Sequence, residues 1–143
     1  MNKKSVRKAI ALVFREGDKI RAFKRSMTKS VYAGLWSLPS TYLKEHEDAA
    51  TAANRLVQRK LGLQGVAINE MPIGNSGHKE KPEWILDMTA YEVLSWEGDI
   101  SFAETEYMEE RLVTLEELAK LVAQQDVEDA GECTKTFLRS EGL

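Results

Sequence analysis

The stretch from Trp36 to Leu63 (WSLPSTYLKEHEDAATAANRLVQRKLGL) constrains this chain more than any other. It reads as a short strand, a loop and then a helix. No Pro or Gly interrupts residues 48–61, Asp48 stands where an N-cap belongs, and Gly62 follows where a glycine ends a helix. Ala49, Ala52, Ala53, Leu56, Val57 and Leu61 recur at helical spacing and give the segment one mostly apolar side.

Strand patterns flank this segment. Residues 8–14 (KAIALVF) predict a buried strand, Glu16, Gly17 and Asp18 a turn, and residues 19–25 (KIRAFKR) an alternating, half-exposed strand, so that the two strands make a hairpin. Residues 26–34 form a polar loop carrying Lys29 and Tyr32. Beyond the helix, residues 65–73 predict a strand. Residues 74–82 (GNSGHKEKP), dense in turn formers and positive charge, predict a loop. Residues 84–94 are the best strand of the second half, and residues 95–103 are another loop. A short strand then runs through Val113. Thr114 with Glu117 three positions on gives a capping box for the next helix, and a last helix is expected from about residue 127 to 139. No repeat, low-complexity tract or linker appears, which predicts a single domain over residues 1–143.

Composition narrows the function classes. With 43% apolar and 30% charged residues the chain is a globular rather than a disordered type. A net charge of -3 gives no overall pull toward nucleic acid, so such binding rests on a local patch, with His78, Lys79 and Lys81 as the candidate phosphate contacts. One cysteine, Cys133, makes no internal disulfide. No apolar run reaches membrane length, and the start lacks a signal peptide's apolar stretch. A cytoplasmic protein is expected, with no membrane partner.

The residues above resemble the Nudix superfamily, whose box reads Gx5Ex7REUxEExGU with U aliphatic. Glu47 falls on the first glutamate and Arg55 on the arginine, and Val57, Gly62 and Leu63 also fit. Thr41 stands at the glycine, and Leu56, Arg59 and Lys60 stand at three glutamates. The run from Ala9 through GLWSLP, and the later strand leading into TLEEL, are similar to Nudix domains as well. The resemblance implies an α/β fold, the Nudix-type α/β/α sandwich with a mixed β-sheet.

In that family the missing glutamates hold Mg²⁺ or Mn²⁺ against a diphosphate, activating both phosphorus and the attacking water. Positions 56, 59 and 60 lie at i, i+3 and i+4 and are expected to converge on one point. Here three anions give way to an aliphatic chain and two cations, so the family's cluster is not expected to form and no cofactor is expected. The ligand-binding candidates are Ser40, Glu47, Arg55, Arg59 and Lys60. Ser40 and Thr41 replace a Gly-Gly step and narrow the backbone's freedom there. Glu47 reads either as a catalytic carboxylate or as a structural partner of Arg55. Arg59 and Lys60 read either as a solvated helix face or as fixed cations that meet a phosphate, for which arginine's planar fork is well suited. Glu45, Glu47 and Glu109 are the carboxylates from which a relocated Mg²⁺ or Mn²⁺ site would be built, with Glu47 and Glu109 as its catalytic candidates. Trp36 is expected in the core. Tyr32, Tyr42, Trp84 and Tyr91 are stacking candidates for a base. His46 and His78 lack zinc spacing, and Cys133 reads as a buried filler.

Three functions stay open at this point. One is a nucleotide-binding or nucleoside-diphosphate-binding module without efficient hydrolysis. The run YAGLWSLP, similar to the non-hydrolytic C-terminal domain of adenine DNA glycosylases, extends this to a nucleic-acid end. The second is an active Mg/Mn-dependent pyrophosphohydrolase using Glu45, Glu47 and Glu109. The third is a homodimeric interaction domain with no small ligand.

Overall fold

The computed structural model describes residues 4–27, 33–102, 106–125 and 132–143. Its first strand, β1 (Ser5–Val13), supplies apolar side chains to both of its faces. Successive side chains along a strand point to opposite sides. Ile10 and Leu12, with Phe14 just beyond, enter one core cluster, and Ala9, Ala11 and Val13 enter another. A strand covered on both faces loses the alternation of a surface strand, which is why residues 8–14 are nearly all apolar.

Two sheets grow around this strand. β1 pairs in parallel with β8 (Trp84–Glu97), from Ser5 opposite Trp84 to Val13 opposite Glu92. It pairs antiparallel with β5 (Ser40–Tyr42), and β8 takes β6 (Gly65–Ile68) and β7 (Gly74–Glu80) as antiparallel partners. The second sheet is antiparallel. In it β3 (Lys19–Arg25) pairs with β2 (Arg15–Glu16), β4 (Trp36–Ser37) and β9 (Tyr107–Thr114). Phe23 of β3 joins the two sheets, its ring 6.0 Å from Phe14 and 5.6 Å from Tyr107.

Helices close both sides. α1 (Ala49–Lys60) buries Ala52, Ala53, Leu56 and Val57 in the cluster that holds Ile10, Leu12 and Phe23. α2 (Leu115–Gln124) and α3 (Glu132–Ser140) bury Leu118, Val122, Cys133, Phe137 and Leu138 in the other. The result is an α/β/α sandwich with a mixed sheet. The caps are those the sequence predicts. Asp48 accepts from the Thr51 N–H at 2.8 Å, and Thr114 with Glu117 forms the capping box. Gly62 adopts φ +68°, and a methyl group there would collide with Ser101.

Several sequence expectations are corrected. Residues 8–14 and 19–25 are not the paired arms of one hairpin: β1 joins the mixed sheet, while Arg15 and Glu16 fold back onto Ile20 and Lys19 and the Phe14 carbonyl accepts from the Arg21 N–H at 2.9 Å. Most of the expected loop at residues 74–82 is strand β7, since the exposed edge of β8 supplies backbone partners to a polar segment of little strand propensity. Asn75 secures it through Asp87 and Thr89. β8 continues through Glu97 on β6, so the following loop begins later than expected, and β6 ends at Ile68 rather than Ile73. The last helix is described from Glu132, and the expected start near residue 127 lies outside the described residues. No helix of the described residues is long and apolar enough to cross a membrane.

Candidate functional site

At about 100° of rotation per residue, Arg59, Leu56 and Lys60 span a helix arc of about 100° with Leu56 in the middle. α1 lies on the sheet with the middle of that arc pressed inward. Leu56 is 1% exposed in the core, Arg59 faces solvent, and Lys60 turns toward β5. The expected convergence of these positions on one point therefore does not occur, because packing divides the face.

Lys60 Nζ donates to the Ser40 carbonyl at 2.9 Å and lies 3.5 Å from Oε1 of Glu106. That carboxylate oxygen is also 2.9 Å from Nη1 of Arg25. Burial lowers the pKa of the Lys60 ammonium, while the charge of Glu106 pulls it back up. One carboxylate thus lies between two cations. A bulge makes this possible. β3 and β9 pair in regular register from Lys19 to Lys24, and the shift between Lys24 and Arg25 sets Arg25 opposite Tyr107. The Ser26 N–H then donates to the Glu106 carbonyl at 3.0 Å.

Arg25, Ser40 and Lys60 border a cleft of about 320 Å³, within the range of small-molecule sites. Arg25, Ser40, Thr41, Lys60 and Lys81 supply polar lining, and Trp36, Tyr42 and Trp84 supply aromatic wall. The Arg7 guanidinium packs over Tyr42 at 4.1 Å and Trp84 at 5.2 Å, fixing both rings. Glu132, held by Arg139 at 2.6 Å, and Cys133 complete another part of the lining. Burial raises the pKa of the Cys133 thiol, which keeps it protonated and poorly nucleophilic at neutral pH.

Glu47 and Arg55 lie off the cleft lining and clamp the loop that leads into α1. Arg55 reaches both carboxylate oxygens of Glu47, at 3.0 and 2.8 Å, together with the Tyr42 carbonyl at 2.8 Å and Thr41 Oγ1 at 3.3 Å. The Lys44 N–H donates to Glu47 as well, at 2.9 Å. Arg55's hydrogen bonds, and then that N–H, hold the Glu47 carboxyl at about 2, below its ordinary 4.5. The stability this pair provides is fully present above about pH 4.5 and is lost as pH falls toward 2. Arg55→Met should accordingly lower the melting temperature most at neutral pH, with the gap to the parent closing between pH 4.5 and 2. Thermal denaturation across that range checks this, and a gap independent of pH would refute it.

The other carboxylate candidates lie apart. Glu45 is 89% exposed and beside His46, and Glu109 is 46% exposed with Arg111 at 3.9 Å. The bulge makes Glu106, rather than Glu109, the acid of this strand end that borders Lys60. Sequence spacing gave no sign of that shift, and Arg25 was likewise missed, though it ends the alternating run 19–25. Of the stacking candidates, Tyr42 and Trp84 line the cleft and Tyr91 packs against the α1 core. Tyr32 and Lys29 lie outside the described residues. Of the expected phosphate contacts, Lys81 lines the cleft, whereas His78 and Lys79 sit on β7.

A divalent ion does not fit these donors. No group of three His, Cys, Asp or Glu residues among those described is placed to hold a metal. Both oxygens of Glu47 are engaged by Arg55, and the oxygens of Ser40 and Glu106 that do converge already face an ammonium. At ~4 Å and an effective dielectric of about 20, a divalent ion beside one such cation costs several kcal/mol.

An α/β/α sandwich on a mixed sheet, with a capped helix and its loop beside a cleft, defines a MutT-like α/β domain. The chain belongs to the Nudix family: the NUDIX domain profile matches residues 4–137. No curated protein sequence matches the chain. Among solved structures it is similar to the MutT protein from Methanosarcina mazei Go1, at 17% identity over 99% of this chain and 97% of that one, with a TM-score of 0.74. The E. coli ORF135 protein is similar at 17% identity, over 97% and 90% of the two chains, with a TM-score of 0.73. An ADP-ribose pyrophosphatase from Streptococcus suis is similar at 16% identity, over 95% and 90%, with a TM-score of 0.61.

Proposed function

We propose that this chain, acting as one domain in the cytoplasm, binds a nucleotide-like phosphate ligand in the cleft without hydrolysing it efficiently and without a metal cofactor. The observation that carries the reading is the Lys60 ammonium, held at 2.9 Å from the Ser40 carbonyl and bordering the cleft beside Arg25. Fixed cations bind phosphate by charge-assisted hydrogen bonds, and an arginine fork adds geometric selectivity. They do not activate water as a bound divalent ion does. Tyr42 and Trp84 offer apolar rings of a kind on which a base packs, and an exposed base gains about 1–3 kcal/mol from such stacking.

Isothermal titration with nucleotides in EDTA tests this, beside a turnover panel of nucleoside diphosphate derivatives with Mg²⁺ and Mn²⁺. Heat in the first and silence in the second is the expected result. The absence of heat with every nucleotide refutes the reading.

Family membership keeps a second reading in play, a pyrophosphohydrolase with Mg²⁺ or Mn²⁺ on relocated carboxylates, since one structural neighbour is an ADP-ribose pyrophosphatase. Turnover that disappears in Glu47→Gln or Glu109→Gln would establish it. A nucleic-acid end is the macromolecular form of the same ligand chemistry, and labelled single strands in the titration distinguish it from the free nucleotide. The homodimeric alternative predicts a doubled mass in solution and no nucleotide response.

A further inference from the structure

We infer that the cleft carries a second anion position, at Arg7, so that its ligand is a nucleotide with a further phosphate beyond the one at Lys60, such as a nucleoside 3′,5′-bisphosphate. The inference rests on the nucleotide reading and deepens it by naming a second charged group on the ligand. Arg7 stands on the cleft side of the sheet. Residues two apart on a strand share a face, so Arg7 points the same way as Ala9, which lines the cleft. Leu86, opposite Arg7 on β8, and Tyr42, opposite Ala9 on β5, line it as well.

What holds Arg7 sets it apart. Arg15, Arg21, Arg25, Arg55, Arg111 and Arg139 each meet a carboxylate. Of the other two arginines, Arg59 faces solvent on α1, whereas the Arg7 guanidinium lies over Tyr42 at 4.1 Å and Trp84 at 5.2 Å. A ring occupies the face of a guanidinium and leaves the N–H donors, which point outward in its plane, to hydrogen-bond. Arg7 gives none of those donors to a protein acceptor among the described residues. The lining carboxylate Glu132 is held by Arg139 at 2.6 Å and is not a partner of Arg7. Phosphate accepts such a fork through two oxygens, and the rings hold the fork in place before the ligand arrives. Ser40, whose carbonyl meets Lys60, lies opposite Ala11, four residues along β1 from Arg7, or about 13 Å of strand. The two cations thus rise from different ends of one wall, with Tyr42 between them. One phosphate engages one end, and a ligand with two separated phosphates engages both.

The test titrates the full chain in EDTA, at physiological ionic strength, with adenosine 5′-monophosphate, adenosine 3′,5′-bisphosphate and adenosine 5′-diphosphate. The diphosphate carries its added charge beside the first phosphate and controls for charge alone. The 3′,5′-bisphosphate should bind at least ~10-fold more tightly than the monophosphate. Arg7→Met, which keeps an apolar chain on the rings, should abolish that advantage, leave the ratio of diphosphate to monophosphate affinity as it was, and change the monophosphate Kd by no more than about threefold. Arg7→Lys, which keeps the charge without the fork, should retain only part of the advantage. A bisphosphate no tighter than the monophosphate, or an advantage undiminished in both variants, overturns the inference while the nucleotide reading stands. Equal weakening of all three ligands in Arg7→Met assigns Arg7 to ring packing alone and overturns it too. Silence with every ligand overturns the underlying reading and this inference together. Arg7 is exposed, and circular dichroism establishes that each variant is folded.

Discussion

Leu56→Glu, which places a carboxylate in the core, should destabilise the protein by at least ~4 kcal/mol and leave much of it unfolded. Leu56 is 1% exposed among Ile10, Leu12, Phe14, Ala52 and Val57. Removing a buried leucine costs about 2–5 kcal/mol in lost transfer and cavity terms, and the incoming carboxylate adds its own desolvation. Against a typical total stability of about 5–15 kcal/mol, that is a large share. Burial would raise the folded pKa of the new carboxyl, so the folded state would bind its proton more tightly than the unfolded state. The variant should then lose stability relative to the parent as pH rises from acid toward neutral. Urea denaturation at pH 5 and 7 measures both effects, with Leu56→Met, expected to cost less than about 1.5 kcal/mol, as the volume-conserving control. A Leu56→Glu midpoint close to the parent's would mean that α1 rotates to carry the charge outward. In this chain the leucine is part of the core, and packing opposes a carboxylate at this position.

The second large effect concerns position 60. Lys60→Glu should weaken nucleotide binding in EDTA about 100-fold, since it removes a charge-assisted donor and adds an anion beside Glu106. Arg59→Glu makes the same formal change one residue earlier on the same helix. Because Arg59 faces solvent and does not line the cleft, its reversal should alter affinity by no more than about twofold after salt screening. Paired titrations at physiological ionic strength read the contrast. Equal losses for the two variants would show that a diffuse field, rather than the Lys60 contact with the Ser40 carbonyl, attracts the ligand.

These expectations trace back to what was legible along the chain and what was not. α1 could be read almost to the residue, because Asp48, Gly62 and the alanine–leucine spacing act through local backbone bonding and rotation. The capping box at Thr114 was legible for the same reason. The clamp of Arg55 on Glu47 was within reach of a local reading, since the two residues are joined by one short loop and the first two turns of α1. Strand β7 was not, since a segment rich in Gly, Asn, Ser and His becomes a strand only when β8 offers it an edge.

Local chemistry in the sequence therefore determined the helix α1 with its caps and the capping box of α2, while the resemblance to the Nudix family carried the α/β/α sandwich. Tertiary structure alone decided the use made of α1. How α1 lies on the sheet sends Leu56 inward, Arg59 outward and Lys60 to the cleft. The register shift beside Arg25 brings Glu106, far along the chain, to the Lys60 ammonium. Helical periodicity gives the angles between side chains but not the direction in which the helix is laid down, and that direction is set by contacts between residues distant in sequence.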